Sequence, residues 1–450
     1  MRPIRAVVLG ITGGALYTVS PLTAWCVALA AIVLTLAGRG LPAPQRRALN
    51  VVLVAALIAR LAAIGALFII NTPMHDDESV GMLSGDEAYG LSRALRTRDV
   101  ITGVPVTQYD YFVASDEYGR NSYITALTGI QVLFGPTPYS MRLLNMLLFT
   151  AGAVLLFRAT RLAFGPLPAF GGLAVMMFLP TLFLWSISLL KEPLYLFGTT
   201  LVIAGAIAAA GAANWRARAL PSLAVLAGLA IISNLRPGAF ALAVLGIACG
   251  IAGLVFFSLS LRARLTVATA AAVAVLAIAS QPSAQRRLTS ALEATAKTHA
   301  GHVFTVGHSY KLLDEGFYVN PVTAAASTLT LTAGEAARYA VRAAVSVVTV
   351  PWPWQLVSSR ELPYLPEQLL WYVIVALVPV GLVAGWRRDP LVTSLLAGYT
   401  LPTAAALALT NGNVGTLLRL RGMIIPYLIW LSAVGFCAAL QRFAPRAATT

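Results

Sequence analysis

The fold of this chain is decided by apolar runs such as Ala48–Ile70, which reads ALNVVLVAALIARLAAIGALFII. Such a run is long enough to cross the hydrocarbon core of a membrane as one helix, and similar runs recur along the chain. Apolar residues make up 58% of the 450 residues and charged residues 11%, whereas soluble domains carry roughly 25% charged residues. The sequence therefore predicts an all-α, polytopic membrane protein with about 11–13 transmembrane helices.

The formal net charge of +15 comes from arginines that stand in short groups between the apolar runs. This distribution fits the positive-inside rule and contact with anionic lipid headgroups, and it argues against nucleic acid as a partner. The preference for Arg over Lys, with much Ala, indicates a GC-rich bacterial genome and hence a bacterial inner membrane. The three cysteines, Cys26, Cys249 and Cys437, all lie in apolar runs and suggest neither a disulfide nor a metal cage.

The positions of the basic groups predict which loops are cytoplasmic. On that assignment all of the 17 carboxylates except Asp389 fall on the outer face. The assignment makes residues 1–450 a single integral membrane domain, with an acidic outer loop at 71–139 and a second large outer region at 282–368. Two segments stay open: residues 5–37 could be a tight hairpin broken near Pro21, and residues 321–350 could either span the membrane or lie flat on it.

The acidic outer loop holds more than half of the 17 carboxylates, although a carboxylate near lipid is costly unless it has a partner or a task. Helical spacing predicts two helices along the outer surface, over Ser84–Arg96 and Asn121–Phe134. The motif Gly85-Asp86-Glu87-Ala88-Tyr89 would open the first of them, where carboxylates are favoured by the helix dipole. Helix capping alone is one explanation of the Asp86-Glu87 pair.

The surroundings of the motif support a second explanation. The Gly-Asp-Glu-x-Tyr motif follows a membrane span and opens a juxtamembrane helix. Short elements come after that helix, and they read Phe134-Gly135, Arg142-Leu143-Leu144-Asn145, Arg161-Leu162-Ala163-Phe164-Gly165, Leu179-Pro180, Trp185-Ser186 and Leu190-Lys191-Glu192-Pro193. This pattern, over about residues 48–201, resembles the GT-C superfamily of membrane glycosyltransferases. The nearest resemblance is to bacterial relatives of the protein O-mannosyltransferases and of the lipid A aminoarabinose transferase.

The resemblance implies a sugar donor linked to polyprenyl phosphate, inversion at the anomeric carbon and an essential acid in the first outer loop. Carried over by position, that acid is Asp86, with Glu87 as its neighbour and Asp116-Glu117 as a second acidic pair. In this interpretation Asp86 is the general base, while Glu87 and Asp116 orient the acceptor or a divalent cation. Tyr89 and Glu117 would contact the substrate.

The chemistry of such a transfer asks for a base on the acceptor hydroxyl and for cations on the departing phosphate. Four basic residues lie on the predicted outer face, against the positive-inside rule: Lys191, Arg236, Arg419 and Arg421. Glu192 adjoins the first of them and completes the predicted substrate-binding set. The segment 411–415, which reads NGNVG, predicts a flexible loop where a phosphate could approach backbone amides. Contact of these arginines with lipid headgroups is the alternative.

Three further features have a plain explanation beside a functional one. His299, His302 and His308, with Glu293, have spacing that could bind a metal, but solvated loop residues are favoured. Arg60 lies within a span, where it could cap backbone carbonyls or bind lipid. Trp352 and Trp354 could stack on a sugar, but an interfacial anchor is favoured.

Taken together, these features predict a glycosyltransferase, transferring a hexose or a pentose, that acts on the outer face of the membrane. It would pass the sugar to a hydroxyl of a cell-envelope glycan, lipid or protein. A polymerase or ligase that uses a diphosphate-linked oligosaccharide is a close variant. The alternative from another class is a transporter or flippase of lipid-linked sugars, which would usually show paired halves with interrupted spans. A non-catalytic scaffold explains neither the clustered acids nor the outer cations.

Overall fold

The computed structural model describes residues 2–71, 85–117, 121–305, 307–318, 330–356 and 362–443. Over these ranges the chain forms nineteen α-helices, three short 3-10 helices and one isolated antiparallel bridge between Ser309 and Asn413. The all-α prediction is confirmed. The chain divides into two compact units, Met1–Ala243 (unit 1) and Val244–Thr450 (unit 2).

Unit 1 is built from eleven helices and the start of a twelfth, in so far as the structure describes it. These are α1 (Arg2–Val19), α2 (Pro21–Gly38), α3 (Ala43–Asn71), α4 (Gly85–Thr102), α5 (Gln108–Ser115), α6 (Ser122–Phe134), α7 (Pro138–Phe164), α8 (Pro166–Phe178), α9 (Pro180–Ile187), α10 (Glu192–Gly211), α11 (Trp215–Ser233) and α12 (Ala239–Ser258). The last of these continues into unit 2.

Unit 2 contains the rest of α12 and seven further helices within its described residues. These are α13 (Leu261–Ala279), α14 (Pro282–Val303), α15 (Ala333–Thr349), α16 (Leu365–Arg388), α17 (Pro390–Thr410), α18 (Val414–Arg421) and α19 (Ile425–Phe443). Most of these helices begin at a proline or just after a capping side chain. For example, Asp389 accepts a hydrogen bond from the Val392 N–H at 3.0 Å and caps α17.

Ten of the described helices are long and apolar enough to cross a membrane, or eleven if α8 and α9, which meet at a bend of 60°, form one broken span. This count reaches only the lower end of the predicted range. The break expected near Pro21 is present, and of the two helices that flank it only α2 is among the candidate spans. Here α1 ends at Val19 and α2 begins at Pro21, and the Ser20 hydroxyl caps α2 by accepting the Thr23 N–H.

The second open segment is settled in part, since residues 319–329 lie outside the described residues. Residues Ala333–Thr349 form α15, which has 17 residues and is not among the candidate spans. Its polar side carries Arg338 and Arg342, which reach Asp314 at 3.6 and 3.3 Å. A helix this short, with two such arginines, is better suited to the surface than to the hydrocarbon core.

The contacts of Arg158 and Arg161 and the buried Glu87 lie at opposite ends of α7. Near the C-terminal end of α7, Arg158 donates to the carbonyls of residues 36, 37 and 39, and Arg161 donates to Gln45. Near its N-terminal end, Arg142 pairs with Glu87. A helix of 27 residues is about 40 Å long at 1.5 Å per residue. Arg142 and Arg161 are 19 residues apart along it, about 28 Å, which is close to the roughly 30 Å thickness of a hydrocarbon core.

Arg60 shows how this chain accommodates a charge in the middle of a span. Its guanidinium is fully buried and donates to the carbonyls of Ala56 and Met177 and to the Ser186 hydroxyl, at 2.7–3.1 Å. The rings of Phe149 and Phe183 lie 5.1 and 4.8 Å from its central carbon. Of the two explanations considered from the sequence, this geometry fits the capping of carbonyls.

Within unit 2, α16 and α19 approach closely because glycines face each other. A Cβ atom on Gly381 would fall on the backbone carbonyl of Leu431, and one on Gly435 would fall on that of Leu377. Small residues at helix crossings are typical of membrane bundles, where association depends on close packing.

This packing predicts opposite effects for two glycine substitutions. Gly381→Ala should destabilise the protein by about 1–3 kcal/mol, because the methyl group has no room beside Leu431. Gly253→Ala, in the interior of α12 where nothing lies within 4 Å of the added Cβ, should be neutral or stabilising by up to about 1 kcal/mol, because alanine favours the helix. Unfolding by sodium dodecyl sulfate in mixed micelles measures both. Equal effects of the two changes would contradict the close crossing.

Candidate functional site

The Gly-Asp-Glu-x-Tyr motif opens α4, and both carboxylates lie in its first turn, as predicted. Their environments differ sharply. Asp86 is exposed, whereas the side chain of Glu87 is fully buried. Consecutive helical residues point about 100° apart, so one of the pair can face the protein interior while the other faces outward.

Glu87 is buried because it forms an ion pair with Arg142 of α7. The two guanidinium Nη atoms of Arg142 lie 2.9 and 3.4 Å from the two carboxylate oxygens, and both side chains have no exposed surface. Glu87 also accepts a hydrogen bond from the backbone N–H of Leu189, and Arg142 donates to the carbonyl of Ile187 at 2.8 Å. The pair thus joins the start of α4, the start of α7 and the segment after α9.

This arrangement bears on the role expected of Glu87. A buried carboxylate keeps its charge only when it is paired and hydrogen-bonded, and both oxygens of Glu87 bind groups of the protein itself. The geometry therefore favours a positioning role for Glu87 over direct contact with an acceptor or a divalent cation.

Asn145, one helical turn after Arg142, is a second point of convergence. Its side-chain amide lies 2.8 Å from the Tyr123 hydroxyl, 2.7 Å from the Ser188 carbonyl and 3.1 Å from the Leu190 carbonyl. Burial raises the pKa of Tyr123 well above its usual range, and the negative charges of Glu87 and Glu192 raise it further. Sequence reasoning gave neither Arg142 nor Asn145 a role. The available signal was the i, i+3 spacing of two polar residues at the opening of an apolar span.

Three of the predicted binding residues, Lys191, Glu192 and Arg236, lie at the same end of unit 1. Lys191 immediately precedes α10 and is partly buried. Glu192 is only 2% exposed, and one of its oxygens lies 2.5 Å from a guanidinium nitrogen of Arg236. The Arg236 loop is tied to the site by the hydrogen bond from the Ser122 N–H to the Asn234 carbonyl, 3.3 Å long. The structure thus brings these residues together with Glu87, and it gives Arg236 a carboxylate partner.

Tyr89, Asp116 and Glu117 are the remaining predicted site residues of unit 1, and none of them is fully buried. The Tyr89 hydroxyl accepts a hydrogen bond of 2.8 Å from the buried Arg93, one turn further along α4. Asp116 directly follows α5 and is partly buried, while Glu117 is exposed.

The α5 helix is joined to α4 by an ion pair between Arg96 and Asp110, 2.7 Å long. Hydrogen bonds from the Thr107 hydroxyl and then from Arg96 hold the pKa of Asp110 below its usual value. Asp110 is therefore the carboxylate that fixes the position of α5, and Asp116 is carried at the end of that helix.

The remaining predicted cations belong to unit 2, and Arg421 is deeply buried there, with 1% of its surface exposed. It donates to the carbonyls of Val347 and Val350 and to the Gln368 side chain, and its guanidinium lies 4.9 Å from the Trp371 ring centre. These contacts join the end of α15 to the start of α16, so they favour a structural role over phosphate binding. Arg419 is only partly buried.

The loop before α18 differs from its prediction. The segment 411–415 was expected to be flexible and open to a phosphate, but residues 411–413 are buried and residues 414 and 415 already belong to α18. The Tyr310 N–H donates to the Gly412 carbonyl at 2.9 Å, and the Val414 N–H donates to the His308 carbonyl at 2.8 Å. A Cβ on Gly412 would meet the backbone of His299. Glycine is therefore needed here for close packing on α14.

His299 differs from the sequence interpretation, which favoured solvated loop residues, whereas the exposed His308 agrees with it. His299 is fully buried, and its ring centre lies 5.5–6.5 Å from those of Tyr310, Tyr318 and Tyr339. The Glu293 carboxylate accepts the Leu331 N–H at 2.9 Å. Within the described ranges, no group of three or more His, Cys, Asp or Glu side chains could hold a metal ion. The burial of His299 depends on tyrosines distant in sequence, and its own spacing gave no signal of it.

Comparison with known proteins adds no relative: no protein-family model, no curated protein and no solved structure matches the chain. The functional interpretation depends on the site and on the short motifs quoted above.

The buried ion pair predicts a specific pattern of stabilities. Glu87→Leu or Arg142→Met alone should each cost about 3–5 kcal/mol, because each leaves an unpaired charge in the interior. The double variant should cost much less than the sum of the two, since no buried charge remains. Replacement of the exposed Glu117 with Leu is the control and should change stability by no more than about 0.5 kcal/mol. Additive effects of the two single changes would contradict a buried pair.

The buried histidine predicts a pH dependence. Burial lowers the pKa of His299 to about 4, whereas an unfolded chain has a histidine pKa of about 6.5. Below pH 6.5 the unfolded chain gains a proton that the folded chain excludes, so the histidine's contribution to stability is lost as the pH falls. Between pH 7.5 and pH 5, wild type should lose about 2 kcal/mol relative to His299→Phe.

Denaturation of both proteins at each pH measures this difference. The control is replacement of the exposed His308 with Phe, which should keep the wild-type pH dependence. If His299→Phe and wild type respond identically to pH, His299 is not held neutral in the folded protein.

Proposed function

We propose that this protein is a membrane glycosyltransferase whose acceptor-activating base is Asp86. The observation that carries the proposal is the contrast between the two carboxylates of the motif. The buried Glu87–Arg142 pair holds the first turn of α4 in place, and Asp86 on the same turn remains at the surface. A catalytic base needs a fixed position and access to its substrate, and this arrangement supplies both.

In the proposed reaction the Asp86 carboxylate accepts the proton of an acceptor hydroxyl. The acceptor oxygen bonds to the anomeric carbon of the donor sugar from the side opposite the phosphate, and the bond from that carbon to the phosphate oxygen breaks. The products are the glycosylated acceptor, with inverted configuration, and polyprenyl phosphate. The phosphate leaves as an anion, so the reaction needs no acid for the leaving group.

Cations near the departing phosphate stabilise the charge that develops on it. Of the predicted outer cations, Lys191 and Arg236 lie in unit 1, and Arg236 is paired with Glu192. We assign the donor phosphate to these two residues. Tyr89, Asp116 and Glu117 lie at the surface and would contact the acceptor.

The proposed setting is a bacterial inner membrane, with the acidic end of unit 1 on the outer face. The acceptor would be a hydroxyl of a cell-envelope glycan, lipid or protein. The support for this orientation is the arrangement of charge, because the arginines at the other end of α7 follow the positive-inside rule.

The orientation can be tested by labelling single cysteines. Ser115 and Ala217 are both exposed, and the proposal places them on the outer and the cytoplasmic side. After replacement of the three native cysteines, Ser115→Cys should react with an impermeant maleimide in intact cells. Ala217→Cys should react only after lysis, which also serves as the control for accessibility. The reverse pattern would place the acidic end in the cytoplasm and exclude an external acceptor.

The assignment of the base predicts a large loss of turnover in Asp86→Asn. This change keeps the size of the side chain but removes the basic carboxylate, so the rate should fall by about 100- to 10,000-fold. The measurement is the release of polyprenyl phosphate by purified protein from a panel of polyprenyl-phosphate sugars. Donor binding and the unfolding transition should stay as in wild type, because the side chain is exposed.

The matched control is Asp99→Asn, on the same helix, where the aspartate pairs with Arg98 at 2.7 Å. It should leave turnover within a few-fold of wild type. Loss of turnover in Asp116→Asn with normal turnover in Asp86→Asn would move the base to the second acid. Normal turnover after neutralisation of Asp86, Glu117 and Asp116 together would refute the mechanism and favour a transporter of lipid-linked sugars.

A further inference from the structure

A groove runs along one side of the contact between α16 and α19, within unit 2. It encloses about 570 Å³. Its lining residues come from both helices: Pro379, Val380, Val383, Ala384, Arg387, Arg388, Ala438, Gln441 and Arg442. The two helices cross tightly where Gly381 meets Leu431, so the groove is held open by side chains beside a fixed backbone contact.

One end of the groove is strongly basic. Arg387, Arg388 and Arg442 are all exposed, and the lining contains no carboxylate. The nearest acid along the chain, Asp389, accepts the Val392 N–H to cap α17. Three guanidinium groups and the amide of Gln441 form a set of hydrogen-bond donors that suits the oxygens of a phosphate ester.

The rest of the groove is apolar. Its wall is formed by Pro379, Val380, Val383, Ala384 and Ala438, and Val383 is 54% exposed. The distance along α16 from Pro379 to Arg388 is about 14 Å at 1.5 Å per residue. The groove therefore changes from cationic to apolar over a length comparable with a lipid headgroup and the first part of its acyl chain.

We infer that this groove binds one anionic phospholipid, with its phosphate at Arg387, Arg388 and Arg442 and an acyl chain along the apolar wall. A free phosphate or a nucleotide would not use the wall, and a zwitterionic lipid would place the positive charge of its headgroup beside three arginines. Basic pockets between transmembrane helices are a known mode of lipid recognition on the cytoplasmic side, which is where the charge pattern places this end of α16. The site is independent of the proposed transfer reaction.

The test compares the binding of phosphatidylglycerol and phosphatidylcholine, with the same acyl chains, by native mass spectrometry of the full-length protein in detergent. Wild type should bind phosphatidylglycerol at least tenfold more tightly. The triple variant Arg387→Gln, Arg388→Gln, Arg442→Gln should lose affinity by about fivefold for each arginine, on the order of 100-fold in all. The control removes three exposed arginines of the same predicted face elsewhere: Arg216→Gln, Arg218→Gln, Arg262→Gln. An equal loss in both triple variants, or no preference in wild type, would overturn the site.

A second variant tests the apolar wall without changing any charge. Ala384→Trp fills the groove, so it should weaken phosphatidylglycerol binding at least tenfold. Val373→Trp, at an exposed position of the same helix outside the groove, should bind as wild type does. Comparison of Ala384→Trp with Val373→Trp tests the lipid site even if the triple arginine variant fails to fold. Unchanged binding in Ala384→Trp would show that no lipid occupies the groove.

Discussion

The guanidinium of Arg142 and the carboxylate of Glu87 meet where two helices and a connecting segment of unit 1 converge, and neither group reaches solvent. In such surroundings a charge without a partner is very costly, so the two side chains can be buried only together. Their hydrogen bonds to the backbone at Ile187 and Leu189 add the α9–α10 segment to the same constraint. Asp86 precedes Glu87 on the same helical turn, so its position depends on this pair.

Two of the other buried arginines, Arg60 and Arg421, are accommodated in a different way. Arg60 and Arg421 each direct guanidinium donors at backbone carbonyls and lie beside aromatic rings. Where water is scarce, the carbonyls left without partners at helix ends and bends also need donors. Arginine supplies several donors in a fixed planar arrangement. This explains how a chain with 32 basic and 17 acidic residues can bury arginines without an equal number of buried acids.

The elements that the sequence predicted well are those determined by local pattern. The long apolar helices, the break at Pro21 and the first turn of α4 follow from hydrophobic runs and capping residues. The sequence could not distinguish Glu87 from Asp86, because the partner that buries Glu87 lies 55 residues away. For the same reason the sequence could not predict the burial of Arg421, of residues 411–413 or of His299. Each is buried by residues from other helices, which local periodicity does not reveal.

The difference between Asp86 and Glu87 has a geometric origin that extends beyond this pair. Two adjacent carboxylates on a helix point about 100° apart, so they cannot share one interior partner, and burying both would require a second cation. Among the contacts that the structure describes for Glu87, one is to a buried cation, the guanidinium of Arg142. The Glu87 carboxylate therefore has a structural role, and the same helical turn holds the Asp86 carboxylate at the surface. The two carboxylates of the motif thus depend on each other, because the burial of Glu87 is what fixes the exposed position of Asp86.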